Sequence, residues 1–308
     1  MRDSSYRRRG TRRFDDDDDY DTKRYRHRLQ PRPPADARDR GDAEHWSTWD
    51  QSSPTQRGPR PYPAWLVTES AATDTELGVL KTGKEADVFL VSRGVPGTDR
   101  SCLLAVKRYR SAEHRMFHRD IEYMAGRRFR ESRDTRAILN RTAVGREMLA
   151  RHWAESEFAA LRQLHLAGVP VPYPVQILGT EILLEFIGES DGTAAPRLAD
   201  LRPTGADLAG LWTQLVPALE TIAALGLAHG DLSAYNLLVR GGQLILIDLP
   251  QVIDVIANPR GREFLDRDAE QVACWFAARG LSGETLPSTV PGPEHLAATL
   301  RFAARLAS

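Results

Sequence analysis

The chain has 308 residues, room for one large domain or for two lobes with tails. Its 42 basic residues balance 42 acidic ones, so whole-chain charge argues for neither nucleic acid nor a membrane surface as partner. Cys102 and Cys274 are too few for a disulfide framework or a four-ligand zinc site. They fit a reduced compartment and read as small core hydrophobes.

Taken in chain order, the first 62 residues offer almost nothing with which to build a core. Arg7 to Arg9, Arg12 and Arg13, Asp15 to Asp19 and the Pro31 to Pro34 segment predict a disordered, charged tail over residues 1–62. Such a tail is either an electrostatic docking arm for RNA or an acidic partner, or a solubilising or regulatory extension. No apolar h-region follows Met1, and no run approaches the roughly 18 to 20 apolar residues that span a bilayer, so the expected compartment is cytoplasmic, with no membrane partner.

From Trp65 the pattern changes to that of a folded domain. Glu76 to Leu80 and Ala86 to Ser92 read as strands around a polar glycine loop, Lys81-Thr82-Gly83-Lys84-Glu85. Leu103 to Val106 reads as a buried strand ending in Lys107, whose ammonium is expected to point out of the sheet edge. Residues 113–146 are Arg-rich and poor in aliphatics, which suits a mobile insertion. Trp153 to Leu161 has helical periodicity and is closed by Gly168. Val175 to Leu178 and Glu181 to Ile187 suit a hairpin turning at Gly179-Thr180, with a connector to a second lobe at Gly188. Leu208 to Leu225 reads as a long buried helix capped by Gly226, and Glu294 to Leu306 as a terminal one.

The chemistry-bearing segment is His229-Gly230-Asp231-Leu232-Ser233-Ala234-Tyr235-Asn236, followed by a hairpin turning at Gly241-Gly242 whose second strand delivers Asp248. Phosphoryl transfer from ATP needs a carboxylate to orient the attacking hydroxyl and oxygen ligands to hold Mg²⁺ against the phosphates. Asp231, Asn236 and Asp248 supply that set at a specific spacing. By contrast, Lys107 taken alone is open to reading as an exposed strand-end residue, and Glu157 as a solvated helix charge. Ser233 and Tyr235 are assigned no chemistry.

His229 to Asn236 resembles the catalytic loop of the protein-kinase-like superfamily, and Ile247-Asp248-Leu249-Pro250-Gln251 resembles the I-D-x-x-Q metal loop of the RIO family of atypical serine/threonine kinases. Thr82-Gly83-Lys84-Glu85-Ala86 is similar to the S-T-G-K-E-A phosphate loop of one RIO branch, and Trp153-Ala154-Glu155-x-Glu157 to its W-A-x-x-E helix. The four matches occur in order over residues 76–276. The resemblance implies an α+β, bilobal protein-kinase-like fold: an antiparallel N-lobe over 63–188, with the flexible insertion at 113–146, and a truncated helical C-lobe over 189–308. It implies ATP and Mg²⁺ as cofactors, with Lys107 on the α- and β-phosphates, Glu157 fixing Lys107, and Thr82 to Ala86 covering the phosphates. Adenine would lie by Val88, Ala105 and the connector Glu185-Phe186-Ile187, with Leu184 just before it. Asp231 would be the catalytic base, Asn236 and Asp248 the metal ligands, and Asp248 a possible phosphate acceptor.

The activity so implied is that of a non-specific serine/threonine protein kinase, or an ATPase, on an unidentified protein substrate. Ribosome or RNA association through the basic tail and insertion is a further implication. Lys81 departs from the branch, which usually has Ser there, and the Ala- and Arg-rich composition gives the chain a bacterial cast. Two other readings are carried. A small-molecule kinase of the aminoglycoside or choline phosphotransferase kind shares the catalytic loop, but Leu249-Pro250-Gln251 and the Thr82 to Ala86 loop argue against it. A nucleotide-binding pseudokinase scaffold in ribosome assembly would tolerate loss of Asp231.

Overall fold

The computed structural model describes residues 44–110, 143–250 and 252–306, all within one compact unit spanning 40–308. Residues 1–43 of the expected tail, 111–142, which take in most of the insertion expected at 113–146, Gln251 and residues 307–308 lie outside the described residues.

The N-terminal half is a six-stranded antiparallel sheet. It comprises β1 (Glu44–Trp46), β2 (Thr73–Thr82), β3 (Ala86–Gly94), β4 (Ser101–Tyr109), β5 (Pro174–Leu178) and β6 (Glu181–Glu185), in the order β1-β2-β3-β4-β6-β5. Side chains alternate between its two faces, so each face needs its own cover. One face is covered by α1 (Ala143–Leu166): Trp153, Ala154 and Phe158 pack on Ala86, Tyr109 and Ile182. Residues 143–146, assigned to the insertion from sequence, form the first turn of this helix.

The other face corrects the tail assignment. Residues 44–62 are not a free tail; with residues up to Ala72 they form a strap across the sheet. Trp49, Leu66, Val67 and Ala72 are buried with Val91, Leu104, Val106, Val175 and Leu183. The segment is too poor in aliphatics to build a core of its own, but it needs none, because the sheet supplies the opposite apolar surface. Hydrogen bonds fix it in place. The Tyr173 hydroxyl donates to the Pro59 carbonyl at 2.7 Å, Gly58 N to Val175 O at 2.9 Å, and Gln176 Nε2 to Thr48 Oγ1 at 2.8 Å. Gln176 also accepts from Arg93, which is fully buried and forks onto Asp74 at 2.7 and 2.8 Å. A guanidinium can be buried only when its donors find such partners.

The second half is mostly helical: α2 (Gly205–Ala224), α3 (Gly261–Ala277) and α4 (Leu296–Ala303), with short pairs β7 (Leu227–Ala228) with β10 (Ile253–Asp254) and β8 (Leu237–Arg240) with β9 (Gln243–Leu246). Its core is one cluster in which Trp212 and Phe276 meet edge to face at 5.0 Å, with Leu215, Leu232, Leu246, Leu249, Val272 and Leu300 around them. The expected terminal helix over 294–306 is shorter, because Pro293 to His295 make a 3₁₀ turn first. Cys102 is buried as expected, whereas Cys274 is exposed: it lies on the outer side of α3, away from Val272 and Phe276. Among the described residues no helix is long and apolar enough to cross a membrane.

Candidate active site

The cleft face of the sheet is set by strand register. Val88 pairs with Lys107, Lys107 with Ile182, and Ala105 with Leu90 and Leu184, so Val88, Ala105, Lys107 and Leu184 share one face. Lys107 is not a strand-end residue. β4 continues through Arg108 to Tyr109, and Lys107 lies between two partner strands with its side chain only 12% exposed. A buried ammonium must be paired. Lys107 Nζ donates to Glu157 Oε1 at 2.9 Å and to Asp248 Oδ1 at 2.6 Å, bringing together β4, α1 and the loop after β9. Burial pulls the ammonium's pKa down, but Glu157 and Asp248 outweigh it and hold it above the usual lysine value.

Glu157 is not a solvated helix charge either; it is almost fully buried. Besides Lys107 it accepts from the Tyr109 hydroxyl and, at 3.1 Å, from the Leu249 backbone N–H. One carboxylate thus ties the lysine strand to the loop that carries Asp248. The Tyr109 phenol is held well above its ordinary pKa, by burial first and then by the neighbouring Glu157 charge, so it stays a donor.

Asp248 has φ +66, a left-handed conformation that Asp tolerates better than most residues and that turns the chain sharply after β9. Burial raises its carboxyl, yet Lys107 and then Lys81 outweigh that and hold it well below the ordinary carboxylate range. Lys81 Nζ lies 3.8 Å from Asp248 Oδ2.

The Asp231 loop hangs between β7 and the 3₁₀ turn Ala234–Asn236. Asn236 is buried; its Nδ2 donates to the Asp231 carbonyl at 2.8 Å, and its own carbonyl accepts from Ile247 N at 3.0 Å. This leaves Asn236 Oδ1 as the oxygen for an outside ligand. Although Asp231 is exposed, desolvation by the loop around it lifts its carboxyl above the usual range against the lowering effect of His229 and Arg267. Such an environment suits a group that receives a proton.

Asp268, on α3, was not singled out from sequence. It is buried, and its two oxygens accept from Gly230 N at 2.7 Å and Leu232 N at 3.1 Å, clamping both flanks of Asp231. Arg267 adds a hydrogen bond to the Gly230 carbonyl. The available signal was an acid on the apolar stripe of Leu265, Ala269, Val272 and Phe276.

The other expected residues fall in two places. In the loop between β2 and β3, Gly83 N donates to Ala86 O at 3.0 Å, and a Cβ on Gly83 would come within 2.9 Å of that oxygen. Glu85 O accepts from Arg110 N at 2.9 Å, while Thr82 and Lys84 are exposed. At the connector, Glu185 commits its N–H to Tyr173 O at 2.8 Å, and Ile187 its carbonyl to Ala195 N at 3.0 Å. The Glu185 carboxylate holds Tyr173 N and reaches Arg240 at 3.4 Å. Glu185 therefore supports the connector as well as lining it.

No three of His, Cys, Asp and Glu form a metal cage among the described residues. Asn236 and Asp248 instead give the sparse oxygen set with which Mg²⁺ is held when a nucleotide's phosphates complete its coordination.

Comparison with known proteins agrees with this geometry. The RIO domain family model matches residues 88–288. The RIO-type serine/threonine-protein kinase Rio1 of Haloferax volcanii is 31% identical over 219 residues, covering 70% of this chain and 69% of its own. The serine/threonine-protein kinase RIO1 of Chaetomium thermophilum is 32% identical over 214 residues, but the matched part is only 40% of that protein and 66% of this one. Among solved structures, the Rio2 kinase-ADP/Mg²⁺-phosphoaspartate complex from Chaetomium thermophilum shares the fold with a TM-score of 0.50 at 23% identity, covering 74% of this chain and 61% of that one. A paired lysine and glutamate, a clamped Asp231 loop, an Asp248 loop and a matching family model spanning 201 residues together place this chain in the RIO family.

Proposed function

We propose that the chain is an ATP- and Mg²⁺-dependent serine/threonine protein kinase of RIO type that transfers the terminal phosphate of ATP to a protein hydroxyl. The observation that carries this is the Lys107 ammonium held by Glu157 and Asp248 at the mouth of a cleft whose other wall presents Asp231 and Asn236. Adenine would lie against Val88, Ala105 and Leu184, with the Ile187 N–H available to its edge. Lys107 would bind the α- and β-phosphates and the Thr82 to Ala86 loop would cover them. Asn236 Oδ1 and Asp248 would hold Mg²⁺, which supplies charge neutralisation at the phosphates when bound. Asp231 would orient the attacking hydroxyl and take its proton as the new P–O bond forms and ADP departs.

A second reading keeps the site and changes the acceptor. Asp248 is partly exposed and ionised at neutral pH, which makes it a possible carboxylate acceptor, so the protein would act as an ATPase-like switch. The lobes over 63–188 and 189–308 belong to the proposal. So do a cytoplasmic setting, favoured by two unpaired cysteines, and ribosome or RNA contact, favoured by the Arg-rich sequence of 1–43 and 111–142.

Incubating the full chain with γ-labelled ATP and Mg²⁺, beside Asp231→Asn and Asp248→Ala, tests this. Turnover or labelling lost in both variants is expected. Acid-stable label marks a hydroxyl acceptor and acid-labile acyl label marks Asp248. Undiminished turnover in Asp231→Asn would overturn the assignment of the base.

A further inference from the structure

Lys81 interrupts the pattern of its strand. In β2, Val79 pairs with Phe89 while Lys81, not Leu80, pairs with Val88; one extra residue is inserted between them. Without that bulge Leu80 would oppose Val88, and Lys81 would oppose Asp87 on the other face. A one-residue slip of this kind exchanges the faces of a strand, and bulges beside functional sites re-aim side chains in this way. Lys81, Val88 and Lys107 therefore stand in one row across three strands. The ammonium groups at the two ends of the row approach opposite oxygens of one carboxylate: Lys107 reaches Asp248 Oδ1 at 2.6 Å, Lys81 reaches Oδ2 at 3.8 Å.

The two contacts differ in kind. Lys107 is buried and hydrogen-bonded to both of its partners. Lys81 is 43% exposed, and 3.8 Å is too long for a hydrogen bond, so its N–H donors face the cleft without a close acceptor among the described residues. Around it stand Arg197 and Lys107 as like charges and Asp248 and Glu85 as opposite ones. A cation aimed into the cleft from the strand that leads into the Thr82 to Ala86 loop is placed for the phosphate end of a nucleotide, not for its base.

We propose that Lys81 is a second phosphate-binding cation, a positioning residue that holds the terminal phosphate of the nucleotide beside Asp248 while Lys107 holds the inner ones. It rests on the ATP-dependent function proposed above. With Lys107 on the inner phosphates, Lys81 is left to the third and discriminates between nucleotides by phosphate number.

Calorimetric titration of the full chain with ATP, ADP and AMP in Mg²⁺ tests this without relying on turnover. Lys81→Met and Lys81→Ser are expected to weaken ATP about tenfold, the worth of one charged hydrogen bond, and to leave ADP and AMP unchanged. Lys81→Arg is expected to retain the preference for ATP. Equal losses for all three nucleotides would assign Lys81 a merely structural role, and no loss for ATP would leave it only a partner of Asp248; either overturns the proposal. A wild-type chain that binds no nucleotide overturns the ATP-dependent function and Lys81's role together, whereas wild-type binding matched by both variants overturns Lys81's role alone.

Discussion

Replacing Glu157 tests whether one carboxylate holds the cleft together. In Glu157→Ala the Tyr109 hydroxyl and the Leu249 N–H lose their acceptor in a buried setting, while Lys107 keeps Asp248. An unsatisfied buried donor costs about 1–3 kcal/mol. Two of them, with the ammonium still paired, put the loss at about 3–4 kcal/mol, the low end for breaking a buried ion pair. Glu157→Gln keeps the shape and the oxygen shared by Lys107 and Leu249 N, and loses the charge and the oxygen that accepts from the Tyr109 hydroxyl, which can turn to accept from the new amide, for about 1–2 kcal/mol. For a folded unit of this size each kcal/mol moves the thermal midpoint by about 2–4 °C. Thermal unfolding followed by circular dichroism is therefore expected to show a fall of roughly 10 °C in the alanine variant and roughly 4 °C in the glutamine variant. Equal falls in the two variants, or an alanine variant within about 1 °C of wild type, would refute the three-donor role.

Two further outcomes are expected. Asp268→Ala removes the acceptor of Gly230 N and Leu232 N, so unfolding should show a loss of about 2–3 kcal/mol, with turnover falling more than ATP affinity because the loosened loop carries Asp231, the proposed base, and not the residues proposed to hold the nucleotide. The Asp231 carboxyl is raised above the ordinary value of 3.8, chiefly by desolvation. Its protonated, inactive form therefore persists to higher pH, and the acid limb of the turnover profile should lie above pH 3.8, a limb that Asp231→Asn abolishes along with most of the activity.

Much of the site was legible because its signals are local. His229 to Asn236 lies on a continuous stretch between a short strand and a hairpin, and Gly241-Gly242 with φ of +56 and +79 fixes the turn that delivers Asp248. Strands β2 to β6 followed from alternation and glycine punctuation, and α2 from its apolar run and Gly226 at φ +74. Composition misread two regions for one reason: it measures whether a segment can build a core, not whether a neighbour supplies one. The strap of residues 44–72 borrows the sheet's apolar face, and the first turn of α1 extends into a stretch that looked like loop.

By itself the sequence determined which residue types could carry the chemistry and in what order, because spacing along a strand or turn is set by backbone geometry. Only the tertiary structure decided what each charge faces. Burial in the cleft gives Lys107 two partners, α1 turns Glu157 onto three donors, α3 brings Asp268 beneath the Asp231 loop, and one bulge moves Lys81 onto the face of Val88 and Lys107. These are contacts between residues 36 to 141 positions apart, or a single-residue shift in pairing. Both depend on packing free energy summed over the whole fold, which no local pattern of residues encodes.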